Sequence, residues 1–144
     1  MADGVIAAET VPHCLIPSPR AYLLALIGPT YEEPRAEFDY IVDFLTVILP
    51  KSQFDREKNV SRPKEGRCEL TIPSQHNKGE EIHYATVRTF TAQEVERIRS
   101  FNADAVIICE AGGISREGFY NILGRVLSTG GFVLGSGTLE SSQK

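Results

Sequence analysis

Glu110 is the residue of this 144-residue chain best placed to do chemistry. It follows the apolar run Ala105-Val-Ile-Ile-Cys109 and precedes Ala111, Gly112 and Gly113, where a buried strand gives way to a glycine-softened turn. Open α/β sheets place ligands at this edge, and glycine lets a nucleotide-like group come close to the backbone. Ser115 is a helix N-cap just beyond the turn, so a helix amino end aims at the same edge and favours a phosphate or carboxylate. Gly28, Pro29 and Thr30 stand at the matching end of an earlier apolar run and are expected to wall the crevice opposite Glu110. Both groups also make sense as plain strand-to-helix connections.

The other reactive residue types form no recognisable arrangement. His83 alternates with Ile82 and Tyr84 on a short strand, His76 falls in a turn and His13 in the leading segment, with no metal-ligand spacing and no Ser-His-Asp or Cys-His order. The cysteines Cys14, Cys68 and Cys109 are odd in number and unevenly spaced, and Cys109 inside an apolar strand reads as a small buried thiol. Lys51 to Gly66 sets Lys51, Arg56, Lys58, Arg62 and Lys64 against Asp55, Glu57 and Glu65. This basic loop, extended to Arg67, is the one stretch with a charge suited to nucleic acid, but its own acids and its lack of aromatic residues beyond Phe54 favour a solvated loop.

These residues need elements to hold them. Residues 1–20 read as an N-terminal arm broken by prolines. Ala21 to Gly28 is a strand covered on both faces, and Phe38, Ile41, Val42, Leu45, Ile48 and Leu49 form the apolar stripe of a helix that Pro50 ends. After the exposed loop 51–66, which has room for a short strand near Asn59 and Val60, Arg67–Ile72 and Glu81–Val87 are strand candidates joined by turn residues, a plausible hairpin. Thr91-Ala-Gln-Glu94 is a capping box opening a helix through Val95, Ile98 and Phe101. A β-α-β unit closes the chain: strand 105–109, a helix with Phe119, Ile122, Leu123, Val126 and Leu127 on its inner stripe, a Gly130-Gly131 stop, and strand 132–135.

This closing unit, with Asn102-Ala-Asp-Ala-Val, Gly112-Gly113, then Ile122-Leu-Gly-Arg-Val-Leu-Ser-Thr-Gly-Gly-Phe-Val-Leu134, resembles the second half of class I S-adenosylmethionine-dependent methyltransferases. The precorrin decarboxylating branch is nearest. The resemblance implies a Rossmann-like fold and S-adenosylmethionine, or another nucleotide-like ligand, held by Gly28, Pro29, Thr30, Glu110, Ala111, Gly112 and Gly113. The cofactor turn of that family carries Gly-x-Gly, whereas this chain has Gly28-Pro29-Thr30, so the site is degenerate. Within Gly135-Ser-Gly-Thr-Leu-Glu140, the Gly-Thr-Leu-Glu fragment also resembles the phosphate turn of nucleoside-monophosphate glycosidases.

The expectation is a single α/β domain over 1–144, a three-layer Rossmann-like fold with a mostly parallel sheet of about five strands, abbreviated at its C-terminus. An apolar fraction of 42% and a charged fraction of 24% fit a globular core, and a net charge of -4 argues against a general nucleic-acid or membrane-surface binder. No apolar run reaches membrane-spanning length and the first residues lack a basic signal start, so a cytoplasmic protein is expected. Three functions fit: a methyltransferase-like nucleotide-binding domain, a non-catalytic scaffold or regulatory subunit with a protein partner, and a nucleotide N-glycosidase. The last strand would form an exposed sheet edge, and a homodimer is the expected cover.

Overall fold

The computed structural model describes residues 21–63, 66–73, 81–97 and 102–137. They form a three-layer α/β domain around a mostly parallel sheet of six strands. The strands are β1 (Tyr22–Gly28), β2 (Val60–Ser61), β3 (Glu69–Pro73), β4 (Tyr84–Thr91), β5 (Ala105–Ile108) and β6 (Phe132–Gly135), ordered β2-β3-β4-β1-β5-β6. Strands β4, β1, β5 and β6 run parallel, whereas β3 is antiparallel to β4, and β2 to β3. One strand beyond the expected five comes from Val60–Ser61, where the sequence left room for it.

Burial follows this topology. All four residues of β5 and nearly all of β1 are inaccessible, the signature of strands covered on both faces. Strands β3 and β4 alternate instead, with Leu70, Ile72, Ala85 and Val87 inward and Glu69, Thr71, Thr86 and Arg88 on the opposite, more open side. Helix α1 (Glu32–Ile48) covers one face of the sheet through Pro34, Phe38, Ile41, Val42 and Leu45. Each large side chain so buried contributes roughly 1.5–3 kcal/mol relative to exposure. The short helix α2 (Ala92–Arg97) and α3 (Arg116–Leu127) cover the other face, where Val95, Ile122 and Val126 meet Ala25, Ile27, Val106 and Ile108.

Helix α3 is rotated by about one residue from the expected stripe. Gly118, Ile122 and Val126 face the sheet, while Phe119 and Leu127 are exposed, Leu127 to 79%. Gly118 occupies a core position that no apolar pattern can reveal, because its neighbours Ile114 and Ser115 would crowd a side chain there. Ile48, expected on the inner stripe of α1, is also largely exposed. The helix stop divides its work differently from expectation too. Gly130 takes the positive φ of 67°, whereas Gly131 is needed for close approach, since a Cβ there would overlap the carbonyl oxygen of Asp104. Ile98 and Phe101, the turn 74–80, and the arm 1–20 lie outside the described residues.

Candidate functional site at the carboxyl edge

The parallel strands bring their carboxyl ends into one row. Gly28 pairs with Thr91 on one side of β1, Ile27 with Ile108 on the other, and Ile108 with Gly135. Beyond this row lie the turns that the sequence marked. The two candidate groups touch, because a Cβ on Gly113 would fall 2.5 Å from Cγ of Pro29. A third turn joins them: the Ala111 N–H donates to the Ser136 carbonyl at 2.9 Å, and the Ser136 N–H to the Ile108 carbonyl at 2.8 Å.

Glu110 stands at the centre of these turns with φ 56° and ψ 62°, the one non-glycine residue of positive φ among the described residues. A left-handed conformation costs an ordinary L-residue roughly 1–2 kcal/mol. Ala111–Gly113 then forms a single 3₁₀ turn, Gly112 faces open space, and Ser115 caps α3 by accepting from the Gly118 N–H at 3.0 Å. Cys109, one residue earlier, is buried in the core on the α1 side, and Cys68 is buried as well. The Cys68 thiol accepts from Arg62 Nη1 at 3.6 Å and donates to the Gly66 carbonyl at 3.8 Å. His83 lies just before β4, half-buried, while His13, His76 and Cys14 lie outside the described residues.

Thr30 plays a local part. Its hydroxyl donates to Glu33 at 2.6 Å and its N–H reaches the same carboxylate at 3.2 Å, an arrangement that settles the first turn of α1. The Thr30 hydrogen bond holds the Glu33 carboxyl below its usual range.

On the β4 side of the row sits a cluster absent from the sequence reading. Arg67 donates to Glu94 through Nε at 3.1 Å and Nη2 at 2.6 Å, while the other oxygen of Glu94 accepts from the Thr91 N–H at 3.1 Å. The Tyr31 hydroxyl completes the group. Burial works against ionisation of Glu94, but hydrogen bonds from Tyr31 and Arg67 outweigh it and keep the carboxyl below its ordinary value. Burial first, then Glu94, pushes the Tyr31 hydroxyl up. Glu94 was legible only as half of a capping box; its partners lie 27 and more residues away and left no local signal.

The basic loop is mostly exposed where it is described, and a few of its side chains anchor it. Phe54 is buried, Arg56 pairs with Asp43 at 3.3 Å, and Arg62 pairs with Asp39 while lying 5.4 Å above the Phe38 ring. A shallow groove of about 280 Å³ lies beside it, lined by Ser61, Arg67, Glu69, Arg88 and Phe90, away from Glu110. Arg88 is held there by Glu69 at 2.5 Å. No group of three His, Cys, Asp or Glu side chains able to hold a metal ion occurs among the described residues, and no described helix is long and apolar enough to cross a membrane.

Comparison with solved structures returns phage large terminases. The large terminase ATPase domain of Thermus phage P74-26 superposes with a TM-score of 0.67 at 16% identity, over 99% of this chain and 55% of that one, in a mutant form. The unmutated domain gives 0.62 at 18% identity, over 97% and 54%. The large terminase of a second thermophilic bacteriophage gives 0.58 at 13%, over 91% and 30%. The chain thus spans about half of the terminase ATPase domain it matches. No protein-family model matches the sequence, and no curated protein does.

These neighbours overturn the methyltransferase resemblance. Its residues were those any parallel crossover needs: an apolar strand, glycines at the turn, an amphipathic helix and a Gly-Gly stop. Such positions define a fold and not a reaction. Of the glycosidase-like fragment, Gly137 packs beside Glu110 and Ala111, and the remainder lies outside the described residues.

Proposed function

We propose that the chain is the carboxylate-bearing part of a nucleotide-binding domain of the terminase ATPase type, with Glu110 facing the terminal phosphate. The observation that carries this reading is the strained backbone of Glu110 at the carboxyl end of a central strand. Non-glycine residues are held in such conformations where the surrounding structure over-determines them, and functional sites are where they gather. The terminase likeness supports the nucleotide class, since the ATPase domains so named share this sheet.

In that role Glu110 accepts a hydrogen bond from a water poised against the terminal phosphorus. As the water oxygen bonds to phosphorus and the bond to the diphosphate leaving group breaks, the carboxylate orients the water and takes up its proton. P-loop ATPases add a Gly-x4-Gly-Lys-Ser/Thr cradle and a metal-binding aspartate. The 144 residues contain no such glycine-lysine pattern, and the buried Cys109 precedes Glu110 where the strand ends. The residues present therefore do not fit a protein-held metal, and no step is assigned to one. The missing cradle favours a second reading, in which the domain binds nucleotide without turnover.

Thermal shift and phosphate release with ATP and ADP, on the wild type and Glu110→Gln, test the proposal. Stabilisation by nucleotide in both chains, with phosphate release confined to the wild type, is expected. Stabilisation without release in either chain would select the non-catalytic reading. Absence of any nucleotide-dependent shift in the wild type would overturn both.

A further inference from the structure

The sheet face opposite α1 is only partly roofed. Helices α2 and α3 cover its apolar part over β1 and β5, whereas Glu69, Thr71, Thr86 and Arg88 stay half-exposed on β3 and β4. Strand register sets Ser61, Glu69 and Arg88 side by side in one row across β2, β3 and β4. Two hollows open on this face. One, of about 280 Å³, reaches Ser61 and Arg67; the other, of about 350 Å³, reaches Thr86, Asn102 and Thr129. Arg88 lines both.

Arg88 differs from the other ion-paired arginines among the described residues in the edge of the guanidinium that it uses. Arg56, Arg62 and Arg67 all reach their carboxylates with a terminal nitrogen, Nη2. Arg88 donates to Glu69 through Nε alone, at 2.5 Å. The other oxygen of Glu69 accepts from the Thr71 hydroxyl at 3.5 Å, and the Arg88 Cζ lies 5.8 Å from the centre of the buried Phe90 ring. The guanidinium is thus held from one side and against one face. Among the described residues Nη1 and Nη2 have no hydrogen-bond partner, so the double-donor end of the fork is left for a ligand in the hollows.

We propose that Arg88 anchors a binding site for a small organic acid, whose carboxylate accepts two parallel hydrogen bonds from Nη1 and Nη2. A planar carboxylate matches that fork, and a guanidinium already fixed through Nε loses little freedom in binding it. Charge limits what the site takes. Glu69 and Glu94 already balance Arg88 and Arg67, and Asp104 lines the second hollow, so one negative charge is accepted and a second is opposed. A phosphate monoester or a polyanion is disfavoured on that count, and the chain's net charge of -4 adds to the repulsion. Hydroxyls at Ser61, Thr86 and Thr129 and the Asn102 amide flank the fork and suit hydroxyl or amide groups on the acid. The site is separate from Glu110 and does not rest on the nucleotide reading.

Titration of the full chain with glycolate near neutral pH, followed through the nitrogen resonances of the arginine side chains, tests the proposal. The Arg88 signals should shift and saturate, while neutral glycolamide leaves them in place and inorganic phosphate binds at least about tenfold more weakly. Arg88→Lys keeps the charge and loses the fork, so glycolate should bind about tenfold more weakly with the wild-type circular dichroism retained. Glu69→Gln separates a positioned fork from a free charge: loss of the anchor should weaken glycolate, whereas loss of a negative charge alone would strengthen it. Acetylalanine binding more tightly than glycolate would assign the carboxylate to a peptide end, and the reverse order to a free acid; both keep the site. A glycolate shift that never saturates would overturn the proposal, as would Arg88→Lys binding like the wild type, Glu69→Gln binding more tightly, or phosphate matching glycolate.

Discussion

Strand β1 divides the molecule into halves that are held together by different means. On the β3–β4 side, polar side chains stitch neighbouring elements: Thr89 accepts from the Cys68 N–H at 2.8 Å, Asn59 donates to the Thr71 carbonyl at 2.9 Å, and Arg88 and Arg67 hold Glu69 and Glu94. On the β5–β6 side more of the links are backbone to backbone, with Asp104 donating to the Leu23 carbonyl, Cys109 to Ile27 and Ala111 to Ser136, although the Asp104 carboxylate also accepts from the Leu23 N–H at 2.9 Å and the Thr129 hydroxyl donates to the Ala103 carbonyl at 2.7 Å. Glycines there let chains approach more closely than any side chain permits. The first half should therefore answer to pH and charge, and the second to volume. The candidate site lies in the second, where backbone geometry is most constrained.

The largest expected effect is steric. Gly131→Val should destabilise the fold by about 3 kcal/mol, because its Cβ would overlap the Asp104 carbonyl oxygen and lie 2.9 Å from Val126 Cγ1. Backbone cannot yield there as a side chain can. Chemical denaturation at neutral and acid pH should give the same loss. A loss that shrinks with acid would mean that this half is also held by charge.

A smaller effect, of opposite character, is expected across β1. Glu94→Gln should cost on the order of 1 kcal/mol at pH 7, allowing for solvent screening at the half-exposed Arg67. The Glu94 carboxyl is held below its ordinary 4.5, so its contribution is complete above that value. It fades as pH falls through the lower folded-state value, and the gap between wild type and variant should close once the pH lies below that value. A gap that stays constant across the titration would show that the amide loses packing and not charge.

The same division explains what could be read from the sequence. Strand β1, helix α1, the capping box and the closing β-α-β unit are each written in one contiguous pattern of apolar period and punctuation, and all appear in the fold. The order of strands is not so written. That β4 lies between β3 and β1 depends on pairing across the chain, and so does the Tyr31–Arg67–Glu94 cluster. Leu127 and Phe119 were read as core because their spacing is helical; both are exposed, while the buried row of the helix begins at a glycine. Contact between Pro29 and Gly113 was implicit in the placement of both turns at strand ends. The likeness to terminase structures was not legible, because the quoted residues serve any parallel crossover.

The smallest effect concerns Glu110 and separates strain from chemistry. Its left-handed backbone costs roughly 1–2 kcal/mol that glycine would not incur, while glycine adds unfolded-state freedom worth roughly 0.5–1 kcal/mol. Glu110→Gly should thus leave stability unchanged or raise it by up to about 1 kcal/mol, whereas Glu110→Ala keeps the strain. Both substitutions remove the same carboxylate and its contacts, so their difference isolates the backbone. The glycine variant should melt above the alanine variant, and both should lack phosphate release. If the alanine variant proves as stable as the glycine variant, the turn relaxes without cost and φ 56° stores nothing. If instead Glu110→Gly is both the more stable and the inactive form, the sheet holds a carboxylate in place against its own backbone preference. A connection needed only for chain reversal would have no such reason to spare glycine at this position while placing it two and three residues later, at Gly112 and Gly113.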